Sequence, residues 1–305
     1  GLPKLCLYLP AAREYCGEII NVNPGFPEEL LENDSIPGNL LVWKEARQYL
    51  PKFTKDVYKN QRGHVGVFAG SIGTHGAAVL CSQSAARALS GLTTLVADPE
   101  LYPAVSGRLS SVMVKITTED PDLSRFSSLC VGPGWGINGR TGKLKYLISS
   151  GLPGVLDADG ITVFAELKAS PGFSGNWVLT PHMGEFARLT GLSTETILED
   201  PISPLLQYSA KLKACIVLKG SVTYIGSPEG YYWVLDERNP CMATGGSGDV
   251  LSGIISGFIA AGAEPLKAAL AGAALHSEIG KIAAKERGWF LAEDLVSYIS
   301  GALRE

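Results

Sequence analysis

Short apolar runs separated by glycine-rich breaks set the rhythm of this chain. Residues 65–69 form one such run, bounded by glycines, and the pattern predicts a buried strand there. Gly70-Ser71-Ile72-Gly73-Thr74-His75-Gly76 follows as a glycine-rich loop, and the alanine-rich stretch 77–89 has helical spacing. Residues 92–97 read as the next strand. The same beat returns at 128–132, which ends in Gly132-Pro133-Gly134-Trp135-Gly136, and at 154–157, which ends in Asp157-Ala158-Asp159. It returns again at 177–180, ending in Pro181-His182 and a helix near 185–189, and at 214–218, ending in Lys219-Gly220. Residues 222–225 and 231–235 flank Ser227-Pro228-Glu229-Gly230, whose turn chemistry predicts a hairpin. Strands alternating with helices predict an α/β domain whose mainly parallel sheet is covered on both faces. Ligands of such sheets bind beyond the carboxyl ends of the strands, where these motifs would gather.

The first 55 residues break this pattern. They carry Pro3, Pro10, Pro24, Pro27, Pro37 and Pro51 with only short apolar runs, so residues 1–55 are expected to be an arm or linker. Residues 56–305 are expected to form one domain. Hydrophobic residues make up 46% of the 305, which excludes a mostly disordered chain. The net charge of −4 and the lack of a basic tract interleaved with aromatics exclude general nucleic-acid binding. The six cysteines, at 6, 16, 81, 130, 215 and 241, form no CxxC pair, and are expected to be reduced, mostly buried thiols. The most apolar region, 250–275, is interrupted by Ser252, Ser256, Glu264, Pro265 and Lys267, so no membrane span is expected.

The strongest local signal is Thr244-Gly245-Gly246-Ser247-Gly248-Asp249. Apolar residues follow at 250, 251, 254, 255, 258 and 259, which is helical spacing. A glycine-rich turn therefore feeds directly into a buried helix. The first amides of a helix lack internal partners and carry the positive end of its dipole, and glycines let a phosphate approach them. An acid placed there can take a proton from a hydroxyl while the amides hold a phosphoryl group. No Lys follows the glycines, so this is neither a Walker A loop nor a dinucleotide fingerprint. Gly253 and Gly257, four apart, read as sites of close helix packing.

The run from Asn239 through Leu251 resembles the signature of the NAD(P)H-hydrate dehydratase family, within the ribokinase-like superfamily. Four further motifs fall in the family's order: Phe68-Ala69-Gly70-Ser71 through Ala78, the Gly132–Gly136 loop, Asp157-Ala158-Asp159 with Leu179-Thr180-Pro181-His182-Met183-Gly184-Glu185, and Val217-Leu218-Lys219-Gly220. The chain departs from the family pattern at Cys241, where Gly is common. The segment from Gly1-Leu2-Pro3-Lys4 to Tyr15-Cys16-Gly17-Glu18 resembles the end of an NAD(P)H-hydrate epimerase domain. On that resemblance the chain is expected to be the back portion of a bifunctional protein.

The resemblance implies a ribokinase-like three-layer αβα sandwich and a cytoplasmic enzyme of nicotinamide cofactor repair. Such an enzyme phosphorylates the hydroxyl of NADH hydrate or NADPH hydrate and expels phosphate, with ADP as donor leaving AMP. ATP as donor, or a ribokinase-like kinase of a small alcohol, are the competing readings. By resemblance Asp249 is the base and the amides of Gly246, Ser247 and Gly248 form the anion hole. Ala77, Gly134, His182 and Asp249 match hydrate-binding positions. Lys219, Gly220, Ser221, Val222, Thr223 and Gly248 match nucleotide-binding positions. Mg²⁺ is expected with the nucleotide phosphates, with no ligand assigned, and the family implies a homo-oligomer, a tetramer. Several residues keep a plainer alternative: His182 as a helix cap, Lys219 as a solvent lysine, Asp157 and Asp159 as caps or Mg²⁺ partners, and Trp135 as a ring-stacking or rim aromatic. No catalytic role is expected of His64, His75 or His276.

Overall fold

Consecutive apolar residues in the strands mean that both faces of the sheet are buried, and the computed structural model bears this out. It describes residues 2–22, 24–27, 37–167, 172–236 and 238–304. Gly1 of the epimerase-like segment, residues 23 and 28–36 of the expected arm, and the terminal residue 305 lie outside the described residues. The strands are β1 (Gly38–Leu40), β2 (His64–Phe68), β3 (Leu92–Ala97), β4 (Met113–Ile116), β5 (Ser128–Val131), β6 (Gly154–Leu156), β7 (Trp177–Leu179), β8 (Cys215–Leu218), β9 (Val222–Gly226) and β10 (Tyr232–Asp236). They form one sheet in the order β1-β10-β9-β8-β7-β6-β5-β2-β3-β4. All neighbours pair in parallel except β8–β9 and β9–β10. The expected hairpin is the β9–β10 pair, closed by a turn in which the Gly230 amide donates to the Ser227 carbonyl at 3.2 Å.

The described helices of seven or more residues are α1 (His75–Arg87), α2 (Thr141–Ser149), α3 (Asp159–Ala165), α4 (Met183–Thr190), α5 (Ile202–Leu212), α6 (Ser247–Ala260), α7 (Pro265–Arg287) and α8 (Ala292–Ala302). The period-2 alternation of strand side chains sorts the core into two. Val65, Val67, Cys130, Val155, Val178 and Val217 pack with α1, α6, α7 and α8 on one face. Phe68, Leu129, Val131, Leu156, Leu179 and Leu218 pack with α2 through α5 on the other. The result is three layers, helix–sheet–helix, as the sequence predicts.

Helices α1 and α6 lie very close together. A Cβ at Gly253 would sit 2.3 Å from the Cys81 carbonyl oxygen, and one at Gly257 would sit 2.6 Å from that of Ala88. Only glycine fits there, as the four-residue spacing implied. Two expectations need correction. Cys81, Cys130 and Cys215 are buried, but Cys6 is exposed and Cys16 and Cys241 are half-buried, because the latter three lie on the leading segment and a surface turn. Trp135 neither lines a rim nor offers a free face for stacking. It is 3% exposed, inside the second core, with the Arg140 guanidinium over its ring.

Candidate active site

The motifs do gather at the carboxyl edge of the sheet. β6 ends just before Asp157, β7 runs out through Thr180 and Pro181 to His182, and β8 ends beside Lys219, with an isolated parallel bridge joining His182 to Lys219. The glycine-rich turn before α6 meets them from one side. Gly246 takes φ +96°, a left-handed conformation open to glycine, and there begins α6. Together these elements enclose a cavity of about 740 Å³. Its walls include Gly246, Ser247, Gly248, Asp249, His182, Lys219, Gly220, Ser221 and Thr223.

A buried ion pair organises its floor. Asp157 is 1% exposed; its Oδ1 accepts from the Lys219 ammonium at 2.8 Å, and its Oδ2 accepts from the Ser252 hydroxyl of α6. Both oxygens are thereby used. Burial works against the charge on Lys219, but Asp157, Glu185 and Asp249 outweigh it and hold its pKa above the ordinary lysine value. Lys219 is thus a committed ammonium, not a free solvent lysine. It lies against the start of α6: a Cβ at Gly248 would sit 3.1 Å from its Nζ. Ammonium and helix N-terminus together make this corner strongly attractive to an anion.

Asp249 occupies the first turn of α6, half-buried. Burial first, and then the charge of Asp157, push its pKa up to about 7, with Lys219 opposing. A carboxylate poised near neutrality is what general-base work requires. Glu185 is also raised, by burial first, with Lys219 opposing. Of the three amides expected to form an anion hole, that of Ser247 makes a long turn bond of 3.3 Å to the Thr244 carbonyl.

His182 is a cap and a wall at once. As N-cap of α4 its Nδ1 accepts from the amides of Gly184 and Glu185, at 3.0 and 3.2 Å. Glu185 returns the bond by accepting from the His182 amide at 2.8 Å. The acceptor role of Nδ1 places the proton of the neutral ring on Nε2. Asp159 is a loop anchor: it accepts from the Gly136 amide at 2.8 Å. Between the two acids Ala158 adopts φ +47°, ψ −120°, a costly conformation for a residue with a Cβ. That turn lets Asp157 face Lys219 while Asp159 holds the neighbouring glycine loop.

Three of the candidate residues sit apart. Ala77 and Gly134 adjoin each other, outside the cavity wall: a Cβ at Gly134 would sit 3.0 Å from that of Ala77, and the Thr74 hydroxyl donates to the Gly134 carbonyl at 2.7 Å. Val222 points into the second core. Conversely, the cavity is also walled by Arg238 and His276, which the motif pattern did not single out. Burial holds the His276 pKa down to about 4, so its ring is neutral, and Nε2 has no partner among the described residues. It reaches the wall with Ala273 from the same face of α7, a placement that no local sequence signal marks. Cys241 sits in a short 3₁₀ turn without positive φ, so the glycine common in the family is not required by this backbone.

Comparison with known proteins gives a consistent picture. The family model for NAD(P)H-hydrate dehydratase matches residues 65–300. A bifunctional NAD(P)H-hydrate repair enzyme of Coxiella burnetii is 37% identical over 304 residues, covering 97% of this chain and 62% of its own length. An ADP-dependent (S)-NAD(P)H-hydrate dehydratase of Listeria monocytogenes is 32% identical over 263 residues, covering 82% of this chain and 92% of its own. The structure of an ADP/ATP-dependent NAD(P)H-hydrate dehydratase of Bacillus subtilis, co-crystallised with ATP and Mg²⁺, superposes with TM-score 0.78 at 25% identity, covering 87% of this chain and 98% of its own. This chain thus spans 61–62% of the length of the first bifunctional relatives.

Proposed function

Because the chain belongs to the NAD(P)H-hydrate dehydratase family, we propose that it is an ADP-dependent lyase that restores hydrated nicotinamide cofactor. The observation that carries this reading is the placement of Asp249, poised near neutrality, at the same helix start that Lys219 makes attractive to phosphate. The hydrate hydroxyl gives its proton to the Asp249 carboxylate as its oxygen attacks the terminal phosphorus of ADP. The bond from that phosphorus to the bridging oxygen breaks, and AMP departs. The amides of Gly246, Ser247 and Gly248, with Lys219, hold the phosphoryl oxygens as charge develops. A hydroxyl is a poor leaving group and a phosphate a good one. The ring nitrogen then pushes electrons as the C–O bond breaks and phosphate departs; the adjacent ring carbon gives up a proton to the departing phosphate, which re-forms the ring double bond and restores NADH or NADPH. Ala77, Gly134 and His182 would contact the hydrate. Residues Lys219, Gly220, Ser221, Val222 and Thr223 would hold the nucleotide, Val222 through its backbone.

The donor set suits a metal carried by the nucleotide. No group of three or more His, Cys, Asp and Glu side chains able to hold an ion alone is found among the described residues. Mg²⁺ commonly takes one or two carboxylates besides substrate phosphates and water. Asp157 spends both oxygens on Lys219 and Ser252, so besides Asp249 the cavity-wall carboxylate that would hold it, through water, is Glu185, and the ion would offset phosphate charge. The segment up to Glu18 would be the tail of a preceding epimerase domain, since Gly38–Leu40 already belongs to this sheet, and the enzyme a cytoplasmic tetramer.

The test is the near-ultraviolet absorbance of restored cofactor after mixing the protein with NADH hydrate, Mg²⁺ and either ADP or ATP. A rise with ADP is expected. No rise with either nucleotide, in protein that binds it, would shift the assignment to a small-alcohol kinase. Asp249→Asn is expected to leave nucleotide binding nearly intact and to cut turnover at least ~100-fold, the scale of general-base loss. Near-full turnover in that variant would remove Asp249 from the role.

A further inference from the structure

The leading segment is bound to the same hairpin that walls the cavity. Thr223 of β9, Leu235 of β10, and Arg238 just beyond β10 all line it. On the hairpin's other side, the Tyr224 hydroxyl donates to the Tyr8 carbonyl at 2.6 Å, in a buried bond. Arg13, only 5% exposed, sets its guanidinium on the carboxylate of Asp236, the last residue of β10, with contacts of 2.6–3.0 Å. Its remaining terminal nitrogen donates to the carbonyls of Cys16 and Gly17. Arg238 reaches back the other way: its two terminal nitrogens donate to the carbonyls of Arg13 and Gly17, at 3.1 and 2.9 Å. Its own amide donates to the Ser221 carbonyl at 3.1 Å, and its φ is +25°, so its backbone is held in an uncommon conformation. Asp236 is shared, lying 3.7 Å from the Arg238 Nε.

Resting on the reading that this cavity takes a nucleotide donor, we infer that the leading segment fixes the cavity's hairpin wall, and that Arg13 is a positioning residue for ADP it never touches. The physical basis is direct. Removing the Arg13 fork leaves Asp236 with only the longer contact to Arg238. It also loosens the carbonyls that anchor the Arg238 side chain. Arg238 then has no fixed place on the wall, and each nucleotide bound must order it anew, which weakens affinity without altering the reacting atoms. A fork of parallel bonds is specific to guanidinium, so lysine replaces the charge and not the geometry.

The experiment measures ADP affinity by calorimetry, and KM and kcat for ADP, in the full chain and in Arg13→Ala and Arg13→Lys. The expected result is an ADP Kd raised about tenfold in Arg13→Ala, equivalent to about 1.4 kcal/mol, with a smaller rise in Arg13→Lys. KM should follow Kd, while kcat stays within about twofold, since the interaction lost acts on binding and not on the transition state alone. A merely structural Arg13 would lower the melting temperature and leave ADP affinity unchanged well below it; that outcome overturns the inference. If Arg13→Ala does not fold, Arg13→Lys decides, and wild-type affinity there overturns it equally. A parent chain that binds no ADP defeats the functional reading and the inference together, and so is told apart from a parent that binds while both variants match it.

Discussion

Asp249 carries two opposite demands. In its proposed role as base it must be ionised, so kcat/KM for the hydrate is expected to rise with pH through about 7, on a single ionisation, and then level off. A profile flat from pH ~5 to ~8 would contradict that assignment. As a half-buried group its ionised form is a cost to the fold. The folded pKa of about 7 lies above the unfolded value near 3.8, so the folded state binds the proton more tightly. Stability from this group is therefore present below pH ~4 and is lost as pH rises through ~7. Asp249→Asn removes that loss. It should raise the melting temperature by a few degrees at pH ~8 and hardly at all near pH ~4, measured by thermal denaturation. The same substitution that disables the enzyme would then stabilise it, as expected where a site is kept strained for function.

Among the elements, α6 is held to its place by small residues. Gly253→Ala would drive a Cβ onto the Cys81 carbonyl at 2.3 Å, and the helices must part. The expected cost is about 1–3 kcal/mol, seen as a lowered denaturation midpoint. Activity should fall as well, because Asp249 rides on α6 and would shift with it relative to Asp157 and Lys219. The central strands were legible because their residues are apolar on both faces, as in Val65–Phe68 and Cys215–Leu218. β1 and β4 were not. Gly38–Leu40 has three residues, and Met113–Ile116 alternates exposed and half-buried positions at the sheet edge. The site divides in the same way. The turn Gly245-Gly246-Ser247-Gly248-Asp249 announces itself by composition and by the helix that follows. Arg238 and His276 reach the cavity through tertiary packing from a strand exit and from the middle of α7, and no local pattern marks either. Lys219 owes its nucleotide-binding expectation to the resemblance, with a solvent lysine as the plainer alternative; its ion pair with Asp157, 62 positions earlier, is a tertiary contact that no local pattern marks.

At the scale of the whole molecule, ligand and fold are linked by mass action. ADP bound to the folded chain alone should stabilise it by about 2.7 kcal/mol at a hundred times its Kd. Thermal denaturation with rising ADP measures this, and Asp249→Asn should retain the shift while losing turnover. A melting temperature indifferent to ADP would mean that the folded chain does not bind it and would overturn the nucleotide assignment. The sheet itself has a further consequence. It separates two cores, and the site straddles them: Asp249 rides on α6 in one, while His182 and Glu185 ride on α4 in the other. Their relative position depends on how the two layers seat against opposite faces of the same strands. Warming that loosens either layer shifts one half of the chemistry against the other while the strands still hold. Heat inactivation should accordingly set in below the temperature at which secondary structure is lost, and damage confined to one layer should silence groups carried by the other.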